Sequence, residues 1–288
     1  GTGGSRCQFS FNWFQYKSDL GYSDHPTTFD YTKTGEGHHG THVAGIAAGN
    51  TQGWARDANI YTMGFTYTGI SNWSEILWDY VRHFHKNKTI NNTTGRRNPT
   101  VMNNSWGNQY TPGYHILNTV NTVTYRGTST TITSMTDANK ISTLRSNGVP
   151  VFENFTLSSG ATTDVVYSIP SKSSAIDADV QDAIDDGVII VAAAGNSYWN
   201  HEESGGQDYD NHLHLAPGPF GGTKYGSRGM SPASATNAIS VGNIGVKTQE
   251  YKKNSSNWGG GVDIWAPGTN IVSSVYSNSN LNDENAYA

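Results

Sequence analysis

Between residues 188 and 194 the chain reads Val188-Ile189-Ile190-Val191-Ala192-Ala193-Ala194, an apolar run without a polar break. A run of that length, with no alternation, suits a strand buried on both faces, as in a parallel sheet. Just before it, Ile176, Val180 and Ile184 repeat every four residues, which predicts a helix over 175–186 that Gly187 ends. Helix, glycine and buried strand make half of a βαβ unit. The expected fold class is therefore α/β, with a mostly parallel sheet flanked by helices on both faces. A chain of 288 residues can bury a core of that kind. No internal repeat and no convincing linker divides it.

Other elements follow from the same reasoning. Trp73, Ile76, Leu77, Tyr80, Val81 and Phe84 recur at intervals of three and four, so 72–86 is expected to be an amphipathic helix. Ser71 is its expected cap, and Lys86 with Lys88 suits the negative end of its dipole. Residues 60–65 read as a short buried strand, and 100–105 and 238–241 as further strands. Residues 1–37 are aromatic and polar without sustained periodicity, which reads as surface loop. Two long polar stretches, about 108–173 and 198–229, interrupt the α/β pattern, the first with strand character at Val149-Pro150-Val151-Phe152.

Four segments carry residues suited to chemistry. His39-Gly40-Thr41-His42-Val43-Ala44-Gly45 places two histidines at the entrance of a small-residue helix. The zinc reading of that pair is weak, because helical zinc pairs carry a glutamate between the histidines and Gly40-Thr41 stands there instead. Asn103-Asn104-Ser105-Trp106-Gly107 ends a strand with exposed main chain to which an extended peptide can add. Alone, it could be a strand that simply turns. Ala193-Ala194-Gly195-Asn196-Ser197 leaves the carboxyl end of the buried strand, where open α/β sheets collect ligands. An amide side chain there can donate to a developing oxyanion, although an Ala-Gly-Asn turn is also an ordinary strand stop. Ile264-Trp265-Ala266-Pro267-Gly268-Thr269-Asn270-Ile271 is the fourth segment.

Taken together and in this order, the four segments resemble those of the subtilisin-like serine proteases, the subtilases. The resemblance implies a subtilisin-like fold and a serine endopeptidase. His39 matches the family's catalytic base and His42 a structural histidine beside it. Asn196 matches the oxyanion asparagine. Ser105, Trp106 and Gly107 match the substrate-pairing strand, and Ala193, Ala194 and Gly195 the opposite wall of the main specificity pocket. Trp106 stands where a smaller aliphatic residue is common, which implies a more crowded or aromatic-lined pocket. The partner implied is a protein or peptide substrate bound as an extended strand. No cofactor is required for the chemistry and no metal ligand is assigned. Structural calcium is a family possibility that maps to no residues here. The family also implies a secreted or extracellular location, which the residues themselves leave unknown.

The departures concern the other two members of the triad. In subtilases the order is aspartate, histidine, serine, with the aspartate ending an apolar strand. Asp19, Asp24 and Asp30 lie in polar surroundings, and no Gly-Thr-Ser-Met-Ala-type segment occurs; Ser273, Ser274, Ser277 and Ser279 lack that context. The expectation is that residues 1–288 form an incomplete subtilase catalytic domain, inactive as it stands, whose aspartate and serine segments are missing from its two ends. The rival expectation is a non-catalytic peptide-binding or structural relative. A further alternative, a metal site in the second polar stretch, rests on His201, Glu202, Asp208, Asp210, His212 and His214. A net charge of −5 offers no basic surface for nucleic acid. No apolar run approaches the roughly eighteen residues of a membrane span, and the single Cys7 has no internal disulfide partner.

Overall fold

A computed structural model describes residues 6–8, 10–33, 37–50, 53–109, 114–219, 221–245 and 251–274. The chain divides into two compact units. The first comprises Gly1–Val101, Asp182–Ile189 and Gly268–Ala288, the second Met102–Gln181 and Ile190–Pro267.

The first unit contains helices α1 (Gly37–Ala48) and α2 (Trp73–Lys86) and a small hairpin, β1 (Ile90–Asn91) with β2 (Arg96–Arg97). The predicted stripe of α2 is its buried face: Trp73, Leu77, Tyr80, Val81 and Phe84 are all buried. What they pack against was not expected. The region read as surface loop supplies Trp13, Phe14 and Phe29 to the core. Phe14 is ringed by Phe29, Tyr67, Trp73 and Tyr80 at centroid distances of 5.2–5.9 Å. Such pairs add about 0.5–1.5 kcal/mol each beyond the apolar area they bury. Aromatic side chains projecting from irregular backbone need no period to build a core, so periodicity missed them.

Three smaller expectations also change. Residue 72, not Ser71, precedes α2; Asn72 adopts φ 56° and makes no side-chain cap. Lys88 donates to the carbonyls of Asn98 and Pro99 rather than to the helix. Residues 60–65 form no strand: Ile60 makes a single parallel bridge to Cys7, and Phe65 is exposed. A charge cluster closes the unit. Arg82 reaches Asp186 at 2.7 Å and Asp182 at 2.9 Å, and Lys86 reaches Asp186 at 2.9 Å. Burial alone would raise the Asp186 carboxyl, but hydrogen bonds from Lys86 and Arg82 hold it below the ordinary carboxylate range.

A larger sheet, most of whose residues lie in the second unit, consists of β3 (Thr100–Asn104), β9 (Val188–Ala193), β12 (Ile239–Gly245), β13 (Tyr251–Lys252) and β14 (Ile264–Pro267), with α4 (Ser174–Asp185) leading into β9. Its order is β13-β12-β9-β3, and β14 also pairs β12. β12 runs parallel to both β9 and β14, and only the short β13 pairs antiparallel to it. This is the α/β architecture that helix 175–186 and its strand predict. One detail differs: β9 is not buried on both faces. Val188, Ile190 and Ala192 are buried, whereas Ile189, Val191 and Ala193 are open or half-open. Ile239 shares their face through its pairing with Val191 and is also exposed. An apolar run records the hydrophobicity of both faces but not whether each has a neighbour.

The two polar stretches are one structure. The first contributes β4 (Tyr114–Ile116), β5 (Val120–Tyr125), β6 (Thr128–Thr131), α3 (Asp137–Ser146), β7 (Val151–Thr156) and β8 (Thr162–Tyr167). The second contributes β10 (His212–Leu215) and β11 (Gly222–Tyr225). β10 inserts beside β5, giving an antiparallel sheet ordered β11-β10-β5-β6, while β4, β8 and β7 form another. Their shared core joins Leu117, Val120, Val123, Ile132, Leu144 and Val166 from the first stretch to Trp199, Leu213 and Leu215 from the second. Fully burying one such aliphatic side chain is worth about 1.5–3 kcal/mol, so neither stretch has reason to stay a solvated excursion.

Two buried histidines of this unit set a pH dependence. Burial, reinforced by Lys172, lowers His201 to about 4, against the opposing pull of Asp263 and Asp177. Burial and Lys224 likewise lower His115 to about 4. In the unfolded chain each takes up its proton near pH 6.5, while the folded protein resists until about pH 4. The unfolded state therefore binds more protons in that window, and stability is lost as pH falls through it, by up to about 3 kcal/mol per histidine. Urea unfolding at pH 7.5 and pH 4.5 should show this loss, and His201→Gln should flatten the slope. A wild-type profile that is flat between these values would contradict the assignment.

Candidate active site

His39 lies on α1 and is exposed, whereas His42, one turn further on, is buried. Glycine at position 45 of α1 has a steric cause. A Cβ on Gly45 would collide with Ser273 Oγ and lie 2.8 Å from the Ser274 amide nitrogen. Ser273 Oγ in turn donates to the His42 carbonyl at 2.6 Å. The segment following Ala-Pro-Gly-Thr thus rests on the histidine helix, and only glycine permits that approach. Ser277 and Ser279 lie outside the described residues.

The remaining expected site residues belong to the second unit. Ser105, Trp106 and Gly107 leave the carboxyl end of β3 half-buried; Ala193 ends β9, and Ala194 and Gly195 follow it, buried. Asn104, fully buried, joins the two segments. Its amide donates to the carbonyls of Met102 and Val191 at 3.2 and 3.3 Å, and its Oδ1 accepts the Trp106 indole N–H at 3.1 Å. A second tie is the Gln109 amide donating to Ser197 Oγ at 3.1 Å. Asn196 is exposed at the tip of the turn.

The shape of that turn is set by a residue the sequence analysis did not single out. Asn257 is fully buried, and its amide donates to the Ala194 carbonyl at 2.8 Å. Its Oδ1 accepts the amide N–H groups of Ser197 at 3.0 Å and Trp199 at 3.1 Å. Its own main-chain N–H donates to the Gly195 carbonyl at 2.9 Å. Gly195 adopts φ +111°, and a Cβ there would strike the Asn257 amide, so glycine is required on both counts. Asn257 sits in Ser255-Ser256-Asn257-Trp258-Gly259, a stretch with neither periodicity nor a titratable group. Only its partners reveal its purpose.

Other candidates resolve into structural roles. Asp19 faces His83 at 3.2 Å, and the Asp30 carboxylate accepts the Thr32 amide and hydroxyl within its own loop. The proposed metal group in the second polar stretch does not assemble. Asp208 pairs with Arg126 at 2.7 Å, Asp210 pairs with Arg228, and His201 is buried apart. Among the described residues no three histidine, cysteine or acidic groups converge as metal ligands would. Among those residues, too, no helix is long and apolar enough to cross a membrane.

The sequence profile described as "Subtilase family" matches residues 14–288. Subtilisin-like protease 1 of Pseudogymnoascus destructans is 37% identical over 101 residues, covering 35% of this chain and 18% of that protein. Subtilisin-like protease 2 of Arthroderma otae is 27% identical over 261 residues, covering 90% of this chain and 38% of that protein. The chain therefore spans well under half the length of these relatives. Among solved structures, a crystal structure of a cold adapted subtilisin-like serine proteinase has a TM-score of 0.46 at 19% identity, over 94% of this chain and 58% of that one.

Replacing Asn257 by alanine would strand three buried main-chain groups at once. At about 1–3 kcal/mol for each unsatisfied group, Asn257→Ala should destabilise the protein by at least about 3 kcal/mol. It should also speed hydrogen exchange at the Ser197 and Trp199 amides. A loss below about 0.5 kcal/mol with unchanged exchange would show that the turn holds its own shape.

Proposed function

The chain belongs to the subtilase family, and on that premise we propose that it provides the histidine base and the oxyanion amide of a serine endopeptidase. The observation that carries the reading is the presentation of Asn196. It stands exposed beyond the carboxyl end of β9, on a turn whose main chain is held from behind by Asn257. A main chain held in one shape lets an amide side chain carried on it meet a developing oxyanion without main-chain rearrangement.

In this reading His39 takes the proton from a serine as that serine attacks the scissile carbonyl, and returns it to the leaving amine. Asn196, with a main-chain N–H at the serine, receives the tetrahedral oxyanion. An extended substrate pairs along Ser105, Trp106 and Gly107, with Ala193, Ala194 and Gly195 as the facing wall. Neither the aspartate that orients His39 nor the attacking serine is assigned to a residue of the 288. The chemistry needs no cofactor, the substrate is protein, and the place of action is extracellular. His39 on the first unit and Asn196 on the second each support the reading through their own surroundings.

The coding region on either side decides between this enzyme and a non-catalytic peptide binder. An apolar strand ending in aspartate upstream and a Gly-Thr-Ser-Met-Ala-type segment downstream are expected. In the resulting full-length protein, Asn196→Ala should lower kcat about 10²–10³-fold with KM nearly unchanged. His39→Ala should cost at least about a thousandfold. A start and a stop codon flanking the 288 residues directly would overturn the enzyme reading.

A further inference from the structure

We propose that Met230 closes the floor of the main specificity pocket, so that the site accepts small side chains at P1, the residue whose carbonyl is attacked. The inference rests on the peptidase reading above and concerns which bonds that site would cut. Gly107 and Gly195 belong to the two segments assigned as opposite walls of the pocket. A Cβ built on Gly107 would collide with the Met230 methyl, and would lie 2.5 Å from its sulfur and 3.0 Å from its Cγ. A Cβ built on Gly195 would lie 3.1 Å from the same methyl. One thioether therefore touches both walls, and Met230 is only 3% exposed. The space between the walls is occupied by the protein itself.

The main chain under Met230 is tied down on each side. The Ser231 carbonyl accepts the Asn108 amide at 2.9 Å, and the Ser231 amide donates to the Ser171 carbonyl at 3.3 Å. Ser231 Oγ donates to Asp177 at 2.6 Å. On the other side, Gly229 packs directly on the His201 ring, where a Cβ would collide with its Nε2. The segment cannot withdraw as a whole, so room for a larger P1 group must come from rotation of the methionine side chain. Methionine has three rotatable bonds, but turning out of a buried position between the segments that follow β3 and β9 gives up its packing. On this proposal the pocket takes a methyl-sized P1 group and excludes a benzyl group. Trp106 adds no depth, since its indole is fixed to Asn104 on its own strand.

The test uses p-nitroanilide tetrapeptides that differ only in alanine or phenylalanine at P1, hydrolysed by the full-length protein. Wild type is expected to favour alanine at least about tenfold in kcat/KM, the scale on which pocket volume discriminates. Met230→Ala should raise kcat/KM for the phenylalanine substrate at least about tenfold, whereas Met230→Leu, which keeps the volume, should retain the alanine preference. A wild-type preference for phenylalanine, or a ratio untouched by Met230→Ala in a protein whose thermal unfolding shows it folded, would overturn the proposal. Absence of any hydrolysis would instead count against the peptidase reading. In that case calorimetric binding of tetrapeptides ending in alanine or phenylalanine decides: alanine preference that Met230→Ala abolishes supports Met230 as the floor, and equal binding refutes it.

Discussion

The side chain of Asn257 satisfies three main-chain groups that no secondary structure could reach. The chain leaves β9 at Ala194, turns sharply, and re-enters the interior by Trp199, so its amides and carbonyls are buried without a ladder to join. Buried polar groups left in that state are among the costlier defects of a folded protein. One primary amide, with two donors and one carbonyl oxygen, resolves them together. Trp199, whose main-chain N–H it holds, also lies in the core shared by the two polar stretches, and donates its indole N–H to the Ser168 carbonyl at 3.1 Å. Within three residues, the turn that displays Asn196 is thereby joined to a hydrophobic core of more than a dozen side chains. Rigidity at the turn is supplied by that core as well as by the sheet.

This gives the polar stretches a role beyond decoration. Each is poor in long apolar runs, and each strand is short. β10 offers only His212-Leu213-His214-Leu215, with Leu213 and Leu215 pointing inward. Alternation of that kind marks a half-buried strand but does not name its neighbour. The neighbour is β5, roughly ninety residues earlier, with Thr124 opposite His212 and Val123 opposite Leu213. Paired, the two stretches enclose Leu117, Ile132, Leu144 and Leu213 almost completely.

The sequence was most legible where a local pattern had a local cause. The stripe of α2 and the strand after Gly187 both follow from spacing. So do the resemblance of the His39 and Asn196 segments to the subtilases and the family that resemblance named. It was least legible where partners are distant. The ring of aromatic side chains around Phe14 draws on residues 14, 29, 67, 73 and 80, and nothing in the spacing from Trp13 to Phe29 announces it. Asn257 and Met230 are uncharged and lie in irregular backbone, so a search for titratable groups or periodic faces passes over both. The half-open face of β9 shows the converse limit, because an apolar strand states what it could bury and not what is present to cover it.

Asn257 stands 63 residues after the Ala194 carbonyl to which it donates. During synthesis the chain therefore displays Asn196 on a turn that has no reason to hold its final form until the ribosome has delivered residue 257 and let it pack. Local elements such as α2 can form early, since their contacts close short loops, whereas this contact must wait for a long one. The order of translation itself thus delays the shaping of the Asn196 turn, and a nascent or prematurely terminated chain carries the residues of that turn without its geometry.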